Sequence, residues 1–195
     1  MQAKKPRRFG EVQVISATHW DAKKIGDYQR EVRLADYVFL DCGPAADAHQ
    51  RAAIEASDFV IVAHDRQWGS RAAAREYVKG LKGAAKPHRV VYNKTLANGA
   101  QLERAGALAE ASRQGIPELA GVEAFLRRGD PGPLAAAADR IIDDFGDARV
   151  IAIVAGKGGV GKSTIALLLA CRLKQDGAKV IILDLDNQGA SLLKA

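Results

Sequence analysis

The chain is poor in cysteine, methionine and aromatic residues. Of its 195 residues two are cysteine, two tryptophan and one methionine, and aromatics make up 6%. Cys42 and Cys171 form no CxxC pair. A disulfide framework, a zinc site and a cluster carrier are therefore not expected, and a reducing cytoplasm suits this usage. No apolar run approaches the ~18 residues that a membrane span needs; the longest, Ile165 to Cys171, is far shorter. Lys4, Lys5, Arg7 and Arg8 have no apolar stretch behind them, which argues against a secretory signal. Few aromatics interleave the basic residues, so stacking on single-stranded nucleic acid is disfavoured. His19, His49, His64 and His88 lack metal-ligand spacing and suit ordinary surface or core roles.

What is present describes a soluble globular chain, 48% hydrophobic and 27% charged. At roughly 150 residues per domain, residues 1–195 suit a single domain. The net charge is +6 and the isoelectric point about 9.4. That balance suits a polyanionic partner such as nucleic acid and a plain solvated surface equally well. Six runs read as strands: Val12–Ser16, Tyr37–Asp41, Phe59–Ala63, Arg89–Asn93, Val150–Ala155 and Val180–Asp184. Several are continuously apolar, as in strands covered on both faces of a parallel sheet. Helical stretches separate them: Ala22–Leu34, Ala46–Ala56, Ser70–Leu81, Gln101–Arg113, Leu134–Phe145 and Lys162–Asp176, the last followed by Gly177 as a stop. The alternation predicts an α/β fold with a doubly wound, mostly parallel sheet.

The most specific motif is Gly156-Lys157-Gly158-Gly159-Val160-Gly161-Lys162-Ser163, a GxxxxGK[ST] phosphate loop between a predicted strand and a predicted helix. Glycines let the backbone close around phosphate oxygens, and N–H groups at a helix start favour the anion. In this motif Lys162 reaches the β- and γ-phosphates and the Ser163 hydroxyl ligates Mg²⁺. Three strand ends add polar side chains. They are Asp41 after Tyr37–Leu40, the pair Asp184 and Asp186 after Val180–Leu183, and Asn93 after Val90–Tyr92. Carboxylates beside a phosphate loop suit a metal and an attacking water; acids that merely cap strand ends are the plainer alternative. Asp58, at the start of a strand, suits a cap.

Lys157 to Thr164 resembles the deviant Walker A motif of the ParA/MinD ATPases, which carries a second lysine near its start. Asp184-Leu185-Asp186-Asn187-Gln188-Gly189 is similar to that family's second motif, with Asn187 where proline is common. Asp41-Cys42-Gly43-Pro44 is similar to its Walker B segment, with Gly43 in place of a first proline. The resemblance implies a P-loop NTPase fold of the SIMIBI type and an ATPase with ATP and Mg²⁺ as cofactors. Gly156, Gly158, Gly159, Val160, Gly161, Lys162, Ser163 and Thr164 would bind the nucleotide, and Asn93 the adenine edge. Ser163, Asp41 and Asp184 would form the metal environment and Asp186 would orient water, the last two roles being exchangeable. Lys157 would act across an ATP-dependent homodimer, joining Lys162 and Asp186 as catalytic residues.

The order of these segments is rotated. The resemblance covers the chain only when it is read as 149–195 followed by 1–147, which suggests a circular permutation with residues 1 and 195 close together. Arg71, Arg75, Lys79 and Lys82 fall on one helix face and suit sequence-independent DNA binding. The acidic end of 134–145 disfavours the membrane helix of MinD-like proteins. The leading expectation is a ParA-like partition ATPase, cytoplasmic and nucleoid-associated, with a stimulating adaptor protein and no membrane. Alternatives are a MinD-like or cargo-docking switch without DNA, a small P-loop ligase, or a permuted variant without the dimer cycle.

Overall fold

The computed structural model describes residues 7–9, 12–18, 20, 21, 23, 24, 27, 28, 35–43, 48–65, 68–93, 118, 119 and 131–186. Eight strands form one sheet: β1 (Arg7–Phe9), β2 (Val12–Ser16), β3 (Tyr37–Asp41), β4 (Phe59–His64), β5 (His88–Asn93), β6 (Glu118–Leu119), β7 (Val150–Val154) and β8 (Val180–Asp184). Their spatial order is β1-β2-β8-β3-β7-β4-β5-β6. Only β1 runs antiparallel to its neighbour; every other pairing is parallel. The described helices are α1 (Ala48–Ala56), α2 (Trp68–Gly83), α3 (Ala135–Ile142) and α4 (Lys162–Gln175), with 3-10 turns at Gly132–Leu134 and Asp143–Phe145.

All six predicted strands are present, with ends that differ by at most a residue. β1 and β6 were not predicted, because each is too short for a period to show. The predicted helix at Gln101–Arg113 lies outside the described residues. So does most of Ala22–Leu34, in which residues 23, 24, 27 and 28 are helical. Leu134–Phe145 is helical only in its middle and tightens into 3-10 geometry at both ends.

Strand parity sorts the core into two layers. Phe39, Phe59, Ile61, Ile151, Ile153 and Ile182 face α3 and α4, meeting Ile141, Ile165, Leu168 and Leu169. Val38, Leu40, Val60, Val62, Ala152, Val154 and Leu183 face the other way, toward Ala53 of α1 and Ala74 and Leu81 of α2. The continuously apolar strands are therefore covered on both faces, as a parallel sheet requires. Phe145 anchors the end of the α3 region, its ring 5.4–6.3 Å from those of Tyr37, Phe39 and Phe59. Burying one such ring contributes about 2–3 kcal/mol.

The chain then enters β7, the strand that leads to the phosphate loop. Asp58 guards that entry: its Oδ2 accepts the N–H groups of Arg149 (3.0 Å) and Val150 (2.9 Å). The capping role expected for Asp58 is thus across strands, not within its own turn. α4 ends where Gly177 predicts. The Gly177 N–H donates to Lys174 O and the Ala178 N–H to Leu173 O, the paired bonds of a Schellman stop.

Candidate functional site

The site lies at the carboxyl ends of β3, β7 and β8, where open α/β sheets bind ligands. β7 ends at Val154, and residues 155–161 turn into α4. Gly161 caps that helix with φ +88°, and no side chain caps the first turn. The leading N–H groups of α4 therefore have neither intrahelical partners nor a side-chain oxygen, which makes an anion-binding end. Gly156 to Gly159 are exposed. Lys157 is among these exposed loop residues, whereas Lys162 is 6% exposed.

Two glycines are sterically required. A Cβ on Gly161 would stand 1.8 Å from Asn93 Nδ2, in a backbone region that only glycine adopts readily. A Cβ on Gly156 would stand 2.3 Å from Ala73 Cβ on α2. The loop is thus gripped from β5 on one side and from α2 on the other.

The acids converge. Asp41 and Asp184 are register partners on adjacent parallel strands, so their side chains leave the same face of the sheet. By parity this is the α4 face. Both are fully buried, and Asp186 is 7% exposed. The Asp186 N–H donates to Asp184 Oδ1 at 3.1 Å. Burial is the main force pushing the Asp41 carboxyl from the ordinary 3.8 up to about 7. The Ser163 hydroxyl and the Lys162 ammonium oppose this, while the charges of Asp184 and Asp186 add to it. The Ser163 hydroxyl lies beside this carboxyl and favours its charged form. Among the described residues neither Asp41 oxygen has a hydrogen-bond partner. Two orphaned carboxylate oxygens beside a serine hydroxyl are the donor set that a hard cation takes. The residues therefore fit Mg²⁺ together with a nucleotide.

Asn93 is 1% exposed, and its Nδ2 donates to Val160 O at 2.9 Å, which braces the phosphate loop. Asp41, Asp184, Asp186, Lys162 and Ser163 are brought together, and Val160 is buried beneath the loop. Residues 1 and 195 lie outside the described residues, as does Asn187.

The sequence pattern also missed a second bracing group. Gln50, in the first turn of α1, is 3% exposed. Its Nε2 donates to Gly43 O (3.1 Å) and Ala155 O (3.5 Å), and its Oε1 accepts from the Tyr77 hydroxyl of α2. The available signal was a polar residue sharing a helix face with Ala53 and Ile54.

An open pocket of about 660 Å³ lies at the other end of the strands, lined by residues including Asp36, Asp147 and Asp176. Two of its acids are already employed: Asp36 Oδ2 accepts the Lys179 N–H at 2.7 Å, and Asp176 Oδ1 accepts from Arg172 Nη1 at 2.5 Å.

The doubly wound parallel sheet, the loop and the acids at its mouth are consistent with a P-loop NTPase fold. Residues 147–195 match the ParA family model, described as NUBPL iron-transfer P-loop NTPase. Parts of the chain are also similar to named proteins. The chain is 54% identical over 44 residues to a cytosolic Fe-S cluster assembly factor Nubp2 homolog of Drosophila ananassae, covering 23% of this chain and 17% of that protein. It is 45% identical over 65 residues to the cytosolic Fe-S cluster assembly factor NUBP2 of Mus musculus, covering 33% and 20%. It is 54% identical over 44 residues to the iron-sulfur cluster carrier protein of Escherichia coli, covering 23% and 12%. The chain thus spans a fifth or less of the length of these relatives.

These names overturn the partition reading. The relatives are cluster carriers and assembly factors, not segregation proteins. DNA binding, nucleoid association, the ATP-dependent homodimer with its stimulating adaptor, and the MinD-like or dimerless alternatives lose their support. Arg75, Lys79 and Lys82 are exposed on α2. The side chain of Arg71 lies outside the described residues. Among the described residues no helix is long and apolar enough to cross a membrane.

Proposed function

We propose that this chain is the nucleotide-binding and nucleotide-hydrolysing part of an iron–sulfur cluster transfer system. One unit would be written in rotated order, residues 149–195 followed by 1–147. The observation that carries the reading is the buried pair Asp41 and Asp184 at the mouth of the Gly156–Ser163 loop. That loop lies within the segment 147–195 that matches the iron-transfer P-loop NTPase model.

In this reading the N–H groups at the start of α4 and the Lys162 ammonium bind the phosphates of ATP. Ser163 and Asp41 hold Mg²⁺, which neutralises charge on the transferring phosphoryl group when bound. Asp184 and Asp186 orient water near the γ-phosphate. Thr164 follows Ser163 in the first turn of α4 and completes the anion-binding end.

A cluster itself does not fit this chain's own residues. Clusters are held by several thiolates. The chain has two cysteines, Cys42 packed against the α1/α2 face of the sheet and Cys171 against the α3/α4 face. Among the described residues no group of three His, Cys, Asp or Glu could hold a metal ion. The relatives' cargo would accordingly be ligated elsewhere, and the work of this chain is on the nucleotide.

The test measures MgATP binding and phosphate release by the purified chain, beside anaerobic reconstitution with iron and sulfide. We expect nucleotide turnover that Lys162→Ala abolishes, and no stable cluster absorbance from the chain alone. A folded chain that neither binds nor hydrolyses MgATP would falsify the reading.

A further inference from the structure

The Gln50 amide bonds to at least three different parts of the site. Its two N–H donors meet Gly43 O, two residues beyond Asp41, and Ala155 O, the last residue before the phosphate loop. Its oxygen receives the Tyr77 hydroxyl. A side-chain amide offers two donors on one nitrogen, so one planar group holds both carbonyls while its oxygen is fixed from behind.

Each of those carbonyls belongs to a segment in contact with site machinery. Gly43 lies against Asp186: a Cβ there would stand 3.4 Å from Asp186 Oδ1. Ala155 precedes Gly156, which lies against Ala73 and Tyr77, a Cβ at Gly156 standing 3.5 Å from Tyr77 Cε2. Gln50 is therefore a strut between the segment that bears the carboxylates and the loop that takes the phosphates. Tyr77 locks the strut to α2.

We infer that Gln50, oriented by Tyr77, is a positioning residue that sets the spacing between the Asp41–Asp186 side of the site and the phosphate loop. This rests on the nucleotide reading above. The loop itself is braced independently by Asn93 through Val160 O. Loss of the strut should then leave the loop able to bind phosphates but misplace the carboxylates that work with Mg²⁺. The signature is a selective loss of Mg²⁺ dependence.

The experiment measures binding of a fluorescent ATP analogue with and without Mg²⁺, phosphate release, and thermal melting. The samples are the wild-type chain, Tyr77→Phe, Gln50→Glu and Gln50→Met. Tyr77→Phe keeps the ring against Gly156 and removes the hydrogen bond to Gln50, so turnover should fall roughly five- to tenfold and the affinity gained on adding Mg²⁺ should shrink. Gln50→Glu sets an anion against two carbonyls, and its turnover should fall about another tenfold. Gln50→Met fills the same space without the bonds and should fail alongside Gln50→Glu. All three should keep wild-type affinity for the Mg²⁺-free nucleotide. A Gln50→Met chain with wild-type Mg²⁺ dependence would show packing, not positioning, and overturn the inference. Should Gln50→Glu not fold, Tyr77→Phe decides: unchanged turnover overturns the inference. A wild-type chain that binds no nucleotide overturns the underlying reading, and this one with it.

Discussion

Replacing Asp41 by asparagine should make the nucleotide-free protein more stable. Asp41 is fully buried beside Asp184, and its carboxyl is raised from 3.8 to about 7. Between those two values the native state keeps a proton that the unfolded chain has released. Stability therefore falls as pH rises through this window and levels off above about 7. At about 1.4 kcal/mol per tenfold change in proton affinity, the wild-type chain loses at most about 4 kcal/mol across it. Asparagine carries no charge to desolvate, and its amide can donate to Asp184. Against this, Lys162 loses a partner, since its ammonium is among the groups that favour the Asp41 carboxylate. We expect a net gain of about 1–3 kcal/mol at pH 8 and little gain at pH 5. Urea unfolding of both proteins from pH 5 to 8.5, without nucleotide or metal, measures the difference. Adding MgATP at pH 8 should reverse the ranking, because a cation beside Asp41 removes the reason for its protonation. Parallel pH profiles for the two proteins would refute the reasoning, since they would mean that Asp41 does not carry the electrostatic penalty of this site.

Gly161→Ala meets both a Cβ clash with Asn93 and an unfavourable φ, so it should cost about 2–4 kcal/mol and remove nucleotide binding; melting and titration report the two effects separately. Lys162→Ala should abolish MgATP binding and push the Asp41 carboxyl further up, because the ammonium now holds it down; infrared titration of the carboxyl band would show the direction. Asp58→Ala removes two bonds at the entry of β7 and should cost about 1–2 kcal/mol, with an unchanged nucleotide Kd; a shifted Kd would mean that the cap also shapes the loop.

Much of the fold was legible because parallel strands are short, apolar and rich in β-branched residues, as in Val150-Ile151-Ala152-Ile153-Val154. The phosphate loop was legible because its chemistry imposes glycine and lysine at fixed spacing. β1 was hidden because Arg7-Arg8-Phe9 offers basic residues where a pattern needs apolar ones, and it takes its place at the sheet edge by pairing with β2. The bracing of the loop was hidden for a different reason. Gln50 reaches Ala155 across 105 residues, and Asn93 reaches Val160 across 67. No local spacing encodes such contacts. The place of Asn93 beside the site was readable at its strand end, whereas its bond to the loop's own carbonyl was not. The partition reading failed at a further remove. A phosphate loop of this type specifies what is done to a nucleotide, whereas the task coupled to it resides in other surfaces.

The position of β3 in the sheet has a consequence for how the protein forms. β7 and β8 both belong to the segment 147–195 that matches the family model, yet β3 lies between them and pairs with each. Like the teeth of a zipper, β8, β3 and β7 alternate between that segment and the rest of the chain, so the centre of the sheet forms only when the two parts interleave. The pairing of Asp41 with Ile153 joins positions more than a hundred residues apart. Such distant contacts make folding slow, because the chain must close a long loop before it gains their energy. The carboxylates reach the phosphate loop only when that closure is complete. Nucleotide affinity would therefore appear late in refolding, as the last property acquired and the most direct readout of a finished fold.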